Sequence, residues 1–90
     1  MKEQSWFLYI IENEKGHYYT GITTDLERRF KEHCGSSKGA KFFHTGAPTK
    51  IVFKKKFPNR SLASKFEYYV KGLTRVQKMN LIKTKAAKNA

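Results

Sequence analysis

The sequence predicts an α+β domain: a three-stranded antiparallel sheet flanked by three helices, in the order β-β-α-β-α-α. Three observations carry that prediction. Two apolar, aromatic-rich runs at residues 6–12 and 17–21 are separated by Asn-Glu-Lys-Gly, which reads as a hairpin. A third such run at residues 50–57 follows a loop rich in Gly. Two later stretches open on Thr24-x-x-Glu27 and Thr74-x-x-Gln77, the spacing of a helix capping box.

The first strand, residues 6–12, is apolar on both faces. Phe7, Tyr9 and Ile11 point one way, and Trp6, Leu8 and Ile10 the other. A strand covered on both sides suits the centre of a sheet with helices above and below. In the turn at residues 13–16, Asn13 and Gly16 are the residues able to take positive φ. Residues 17–21 return as the second strand, with Tyr19 facing as His17 does and Tyr18 opposite. The hairpin brings Tyr9 and Tyr19 near each other, and register decides whether they share a face.

The first helix is expected from Asp25 to about Cys34, closed by Gly35 in the left-handed conformation. Successive residues turn by about 100°, so Leu26 and Phe30 form its apolar stripe. Arg29 and His33 meet on one edge of that stripe, while Arg28, Lys31 and Glu32 turn mostly to water. A basic helix lying over a core, with Arg29 on its shoulder, is the plainer account of this pattern. Cys34, the single cysteine, excludes an intramolecular disulfide and reads as a small hydrophobe.

Residues 35–49 form a loop in which Phe42 and Phe43 interleave with Lys38, Lys41 and His44. Rings that stack and cations that meet phosphate suit splayed nucleic acid; equally, a Phe there can plug the edge of the core. In the third strand Ile51 and Phe53 alternate with Val52, and Lys54, Lys55 and Lys56 mark a sheet edge. Ser61 is the expected cap of a second helix over residues 62–71, closed by Gly72, with Leu62, Ala63, Phe66, Tyr69, Val70 and Leu73 as its apolar arc. Glu67 lies on the shoulder of that arc. A carboxylate so placed needs a cation beside it, which can be Arg29, a lysine or a metal. The last helix is expected to run to about Thr84, anchored by Val76, Met79, Leu81 and Ile82. Residues 1–83 then make one domain, and 84–90 a basic tail, frayed or disordered.

Composition narrows the function. Nineteen Lys and Arg stand against seven Asp and Glu in 90 residues, a net charge of +12. Such an excess in a small domain favours polyanions, nucleic acid before an anionic membrane surface. With 39% hydrophobic residues the chain reads as globular. It contains no apolar run near the roughly 20 residues of a membrane helix and opens without the apolar core of a signal peptide. A cytoplasmic monomer with no membrane partner is the expectation.

Several of these residues carry a resemblance. F-L-Y ending at Tyr9, Y-T-G beginning at Tyr19, then G-I-T-T-D-L-E-R-R with Arg29 and His33, and later K-G-A-K, together resemble the GIY-YIG nuclease motif in the form found in small single-domain bacterial YhbQ-like proteins. The likeness spans residues 6–82. Here the first motif lacks its Gly, and the extra DNA-binding domains of larger members have no counterpart. The family also places substrate with a late Asn, and Asn80 lies in the third helical stretch.

The resemblance implies a GIY-YIG fold and hydrolysis of DNA phosphodiester bonds, DNA rather than RNA, with low sequence specificity, in repair or recombination. It implies one divalent cation, Mg²⁺ or Mn²⁺, on Glu67. Arg29 then holds the phosphate, Tyr9 or Tyr19 acts as base or positions the water, and His33 relays a proton. A phenol with a pKa of about 10 serves as a base at neutral pH only beside a cation. Arg28, Lys38, Lys41 and His44 are the expected nucleic-acid contacts. The competing expectation is a binding module that keeps the nuclease fold with little turnover.

Overall fold

The computed structural model describes residues 5–35 and 46–88. The elements are β1 (Trp6–Asn13), β2 (Tyr18–Thr23), α1 (Leu26–Gly35), β3 (Pro48–Phe57), α2 (Arg60–Lys71) and α3 (Arg75–Lys88). The three strands form one antiparallel sheet in the order β2-β1-β3. This is the expected α+β architecture.

β1 is central because it is apolar on both faces. Leu8 and Ile10 are fully buried on one side with Phe53 and Val70, where Phe66 of α2 and Leu81 and Ile82 of α3 pack against them. Tyr9 and Ile11 are buried on the other, with Leu26 and Phe30 of α1 and with Tyr19 and Ile51. Each fully buried aliphatic side chain of this kind contributes about 1.5–3 kcal/mol. Two small cores on opposite faces therefore clamp one strand, and that strand carries Tyr9.

The hairpin register pairs Tyr9 with Gly21 and Ile11 with Tyr19. Tyr9 and Tyr19 are thus diagonal neighbours on the α1 face. The turn differs from expectation in one respect. Gly16 alone takes positive φ among the described residues, at 81°. Asn13 instead stays in β1 and is buried, its Oδ1 accepting from the amides of Lys15 (3.0 Å) and His17 (2.8 Å). An Asn side chain can hold a turn in this way without leaving the extended region.

The cap positions shift as well. α1 is capped by Asp25, whose Oδ1 accepts from the Arg28 amide at 3.0 Å, rather than by a Thr24–Glu27 box. Thr23 Oγ1 bonds the Asp25 backbone and sets the entry of the helix. Gly35 is its last helical residue and is not left-handed. α2 is capped by Asn59, two residues before Ser61, because Asn59 is extended (φ −154°) and its Oδ1 accepts from Leu62 at 3.0 Å. Gly72 closes α2 in a right-handed conformation (φ −81°), its amide reaching Tyr68 and Tyr69 carbonyls.

The Thr74–Gln77 box is formed as expected, Thr74 N donating to Gln77 Oε1 at 2.9 Å and Gln77 N to Thr74 Oγ1 at 3.2 Å. α3 continues to Lys88, past the expected end near Thr84. Three expected core residues lie outside: Leu62 (42% exposed), Tyr69 (57%) and Val76 (65%). Cys34 is also exposed rather than a packed hydrophobe. No described helix is long and apolar enough to cross a membrane.

Candidate active site

β1, β2 and α1 converge on the hydroxyl of Tyr9. Tyr9 is 2% exposed, and its ring lies across the neighbouring strand over Gly21. A Cβ at Gly21 would stand 2.5 Å from the Tyr9 hydroxyl oxygen and 2.7 Å from Cζ. The glycine of Y-T-G is therefore what lets the phenol lie flat on the sheet and reach α1.

There it meets His33. Tyr9 Oη and His33 Nε2 are 3.0 Å apart, and His33 is 5% exposed. Tyr19 completes the group, its ring edge-on to the imidazole with centroids 5.3 Å apart and 6.3 Å from the Tyr9 ring. Arg29, one turn before His33 on α1, stands close enough for its guanidinium to act on the Tyr9 hydroxyl. Its Nη1 donates to Glu32 Oε1 at 2.8 Å. Four residues expected to act together, Tyr9, Tyr19, Arg29 and His33, are thus gathered around one hydroxyl.

Burial sets the protonation states. Tyr9 is pushed up to about 12, chiefly by loss of water; the Arg29 hydrogen bond pulls the other way but does not prevail. In the resting site Tyr9 is thus a phenol, and the cation expected to lower it is outweighed. His33 is held down at about 4, by burial first and by the Arg29 charge second. At neutral pH a neutral imidazole faces a protonated phenol. With its proton on Nδ1, the imidazole accepts the phenol O–H at Nε2, the polarity a proton transfer from Tyr9 to His33 requires. Arg29 is raised above its ordinary value, mainly by the bond to Glu32.

Glu67 approaches from α2. Its charge is close enough to add to the upward push on Tyr9. Its Oε2 lies 3.1 Å from Lys71 Nζ, so it is paired with a lysine one turn along the helix. No group of three or more His, Cys, Asp or Glu side chains converges among the described residues. A lone carboxylate of this kind does not fit a cation that needs a cage of protein ligands. It does fit a hard cation of the Mg²⁺ type, which keeps several waters and takes phosphate oxygens.

Of the expected nucleic-acid contacts, Arg28 is exposed on α1, its Nε 3.9 Å from Glu32 Oε2. Lys38, Lys41 and His44, with Phe42 and Phe43, lie outside the described residues. Asn80 is exposed on α3 beside Tyr69, Leu73 and Gln77. Glu32 departs from its expected place. Instead of turning to water it is largely shielded, with 22% of its side chain exposed, and salt-bridged to Arg29. The three-residue spacing from Arg29, which brings side chains together on a helix, was the available signal.

The chain is similar to known proteins over most of its length. The profile of the GIY-YIG catalytic domain matches residues 5–80. UPF0213 protein YhbQ of Escherichia coli K12 is 47% identical over 77 residues, covering 86% of this chain and 76% of that protein. A UPF0213 protein of Vibrio campbellii is 40% identical over 84 residues, covering 93% of this chain and 80% of the relative. The solution NMR structure of UPF0213 protein BH0048 from Bacillus halodurans superposes with a TM-score of 0.59 at 41% identity, covering 90% of this chain and 85% of that one. A three-stranded sheet with its helices is thus a shared architecture, and this chain belongs to the GIY-YIG family, among the YhbQ-like UPF0213 proteins.

Proposed function

We propose that this chain is a divalent-metal-dependent endonuclease that hydrolyses DNA phosphodiester bonds with low sequence specificity. The observation that carries the reading is the buried Tyr9–His33 hydrogen bond of 3.0 Å, with the Arg29 charge beside the same phenol. Phosphodiester hydrolysis requires a water to lose a proton while charge builds on the phosphate oxygens. A phenol near pKa 12 does not act as a standing base at pH 7. It does act as a relay: Tyr9 oxygen takes the water proton as its own proton passes to His33 Nε2. The arriving phosphodiester brings negative charge beside Arg29, which offsets the lesser of the two causes that hold His33 low, burial being the larger. Arg29 binds the phosphate and stabilises its developing charge. Tyr19, edge-on to His33, holds the imidazole in line. Glu67 would hold the divalent cation, and what such a cation supplies is Lewis-acid charge for the phosphoryl and leaving oxygens.

One observation favours a second reading. Glu67 is tied to Lys71, and a carboxylate kept by a lysine serves a binding module with little turnover equally well. The test is incubation of purified protein with labelled duplex, single-stranded and branched DNA, in Mg²⁺ or EDTA, beside Glu67→Ala. Metal-dependent cleavage lost in the variant supports the nuclease. DNA binding without cleavage, equal in both proteins, leaves the binding module.

A further inference from the structure

We propose that Glu32 is a positioning residue: it fixes the Arg29 guanidinium against the Tyr9 hydroxyl, so that the cation meets the scissile phosphate already oriented. The inference rests on the nuclease reading for its catalytic meaning, and its structural core is the 2.8 Å bond between Arg29 and Glu32. An arginine side chain has many rotamers, and a guanidinium at a half-open site ordinarily swings toward water. Arg29 is 28% exposed, yet its Nη1 is bonded to Glu32 at 2.8 Å on its own helix, and its charge stands close enough to act on the phenol of Tyr9 from β1.

Helix geometry makes Glu32 suited to this. At three residues beyond Arg29 its carboxylate lies over the same side of α1. It is largely shielded from water, so the charge-assisted bond is stronger than an exposed pair. Glu32 also reaches toward Arg28, at 3.9 Å from Nε, and therefore sits between an exposed arginine and a half-buried one.

Glu32→Ala and Glu32→Gln separate orientation from charge, because Gln keeps an accepting oxygen and loses the charge. The first readout is the ¹⁵N–¹H signal of the Arg29 side-chain Nε–H in the free protein. It should be a resolved, slowly exchanging resonance in wild type, retained in Glu32→Gln, and merged with the exposed arginines in Glu32→Ala. The second readout is cleavage of labelled DNA. Glu32→Ala should lower kcat about 10–100-fold with KM changed less than about 3-fold, and Glu32→Gln should recover most of the loss. An unchanged Arg29 signal in Glu32→Ala overturns the proposal. So does Glu32→Gln behaving as Glu32→Ala in both readouts, which makes charge the agent. Faster cleavage by Glu32→Ala overturns it too, since Glu32 then competes with the phosphate. If wild type cleaves no DNA, the nuclease reading fails, while the Arg29 signal still decides whether Glu32 holds the guanidinium.

Discussion

A buried imidazole at pKa about 4 has consequences for folding as well as chemistry. In the unfolded chain His33 titrates near its ordinary value of about 6.5. Above that pH both states are neutral and the group is silent. Between about 6.5 and about 4 the unfolded chain takes a proton that the folded site refuses, so stability falls as pH falls, by up to about 1.4 kcal/mol for each pH unit. Urea denaturation at pH 7, 6, 5 and 4 should show this slope in wild type and a shallower one in His33→Gln. Parallel slopes would mean that His33 is not held neutral. The same hydrogen bond makes Tyr9→Phe informative. Removing the hydroxyl takes the 3.0 Å bond away from His33 Nε2, at a cost of about 1–3 kcal/mol. It also removes the relay, so cleavage should fall at least about 100-fold. Tyr19→Phe keeps the ring edge on the imidazole and should lose less in both stability and rate. Equal losses from the two tyrosines would contradict the relay through Tyr9.

At the scale of elements, the strand pair β1–β2 owes its shape to Gly21. Gly21→Ala puts a methyl 2.5 Å from the Tyr9 hydroxyl and 2.7 Å from Cζ, so the ring must leave the sheet surface and lose His33. Overpacking of this kind costs about 1–3 kcal/mol. Gly35→Ala is the contrast, since nothing lies within 4 Å of its Cβ position and the residue is helical. It should leave stability unchanged or raise it by about 0.5 kcal/mol. Thermal melts of the two variants, with cleavage rates beside them, separate a steric glycine from a permissive one. Gly21 also shows what could be read from sequence. Element order, the two-faced β1 and the pairing of Arg29 with His33 followed from periodicity, which depends on the chain alone. The clash at Gly21 did not, because it depends on register, and register is settled by which faces of neighbouring elements are buried. Caps moved for a local reason: Asp25 and Asn59 compete with Thr24 and Ser61 for the same few amides, and small differences in backbone angle decide. Glu32 turns inward because a salt bridge to a half-buried arginine draws a charged side chain against its own preference for water. Burial of Tyr9 outweighing the Arg29 cation was likewise invisible until the depth of the site was known.

For the whole molecule the governing quantity is charge. Lys and Arg exceed Asp and Glu by twelve in 90 residues. The acids nearest the site are already engaged, Glu32 with Arg29 and Glu67 with Lys71. The edge strand β3 carries Lys54, Lys55 and Lys56 exposed to water. On the proposed reading a domain so charged meets the nucleic-acid backbone before it meets any base, and each neutralised phosphate releases counterions. Engagement of about 5 phosphates on duplex DNA gives a slope of about −4.5 in log K against log salt, or a loss of roughly 500-fold in affinity between about 50 and 200 mM. Fluorescence anisotropy on a labelled duplex in EDTA measures this without turnover. Glu67→Ala should bind at least as tightly with nearly the same slope, because removing one anion subtracts no phosphate contact. Arg29→Ala should lower the slope by about 1 if Arg29 meets a phosphate. Replacing Lys54 and Lys56 by Ser tests whether the β3 edge is part of the same track. Lys54 and Lys56 pair with Tyr9 and Phe7 and so lie on the α1 face; a slope lowered by about 2 places both on phosphates, whereas an unchanged slope keeps the nucleic acid off the β3 edge. In that second case the lysines serve the other role open to charge on a sheet edge, which is to prevent one β3 from pairing with another.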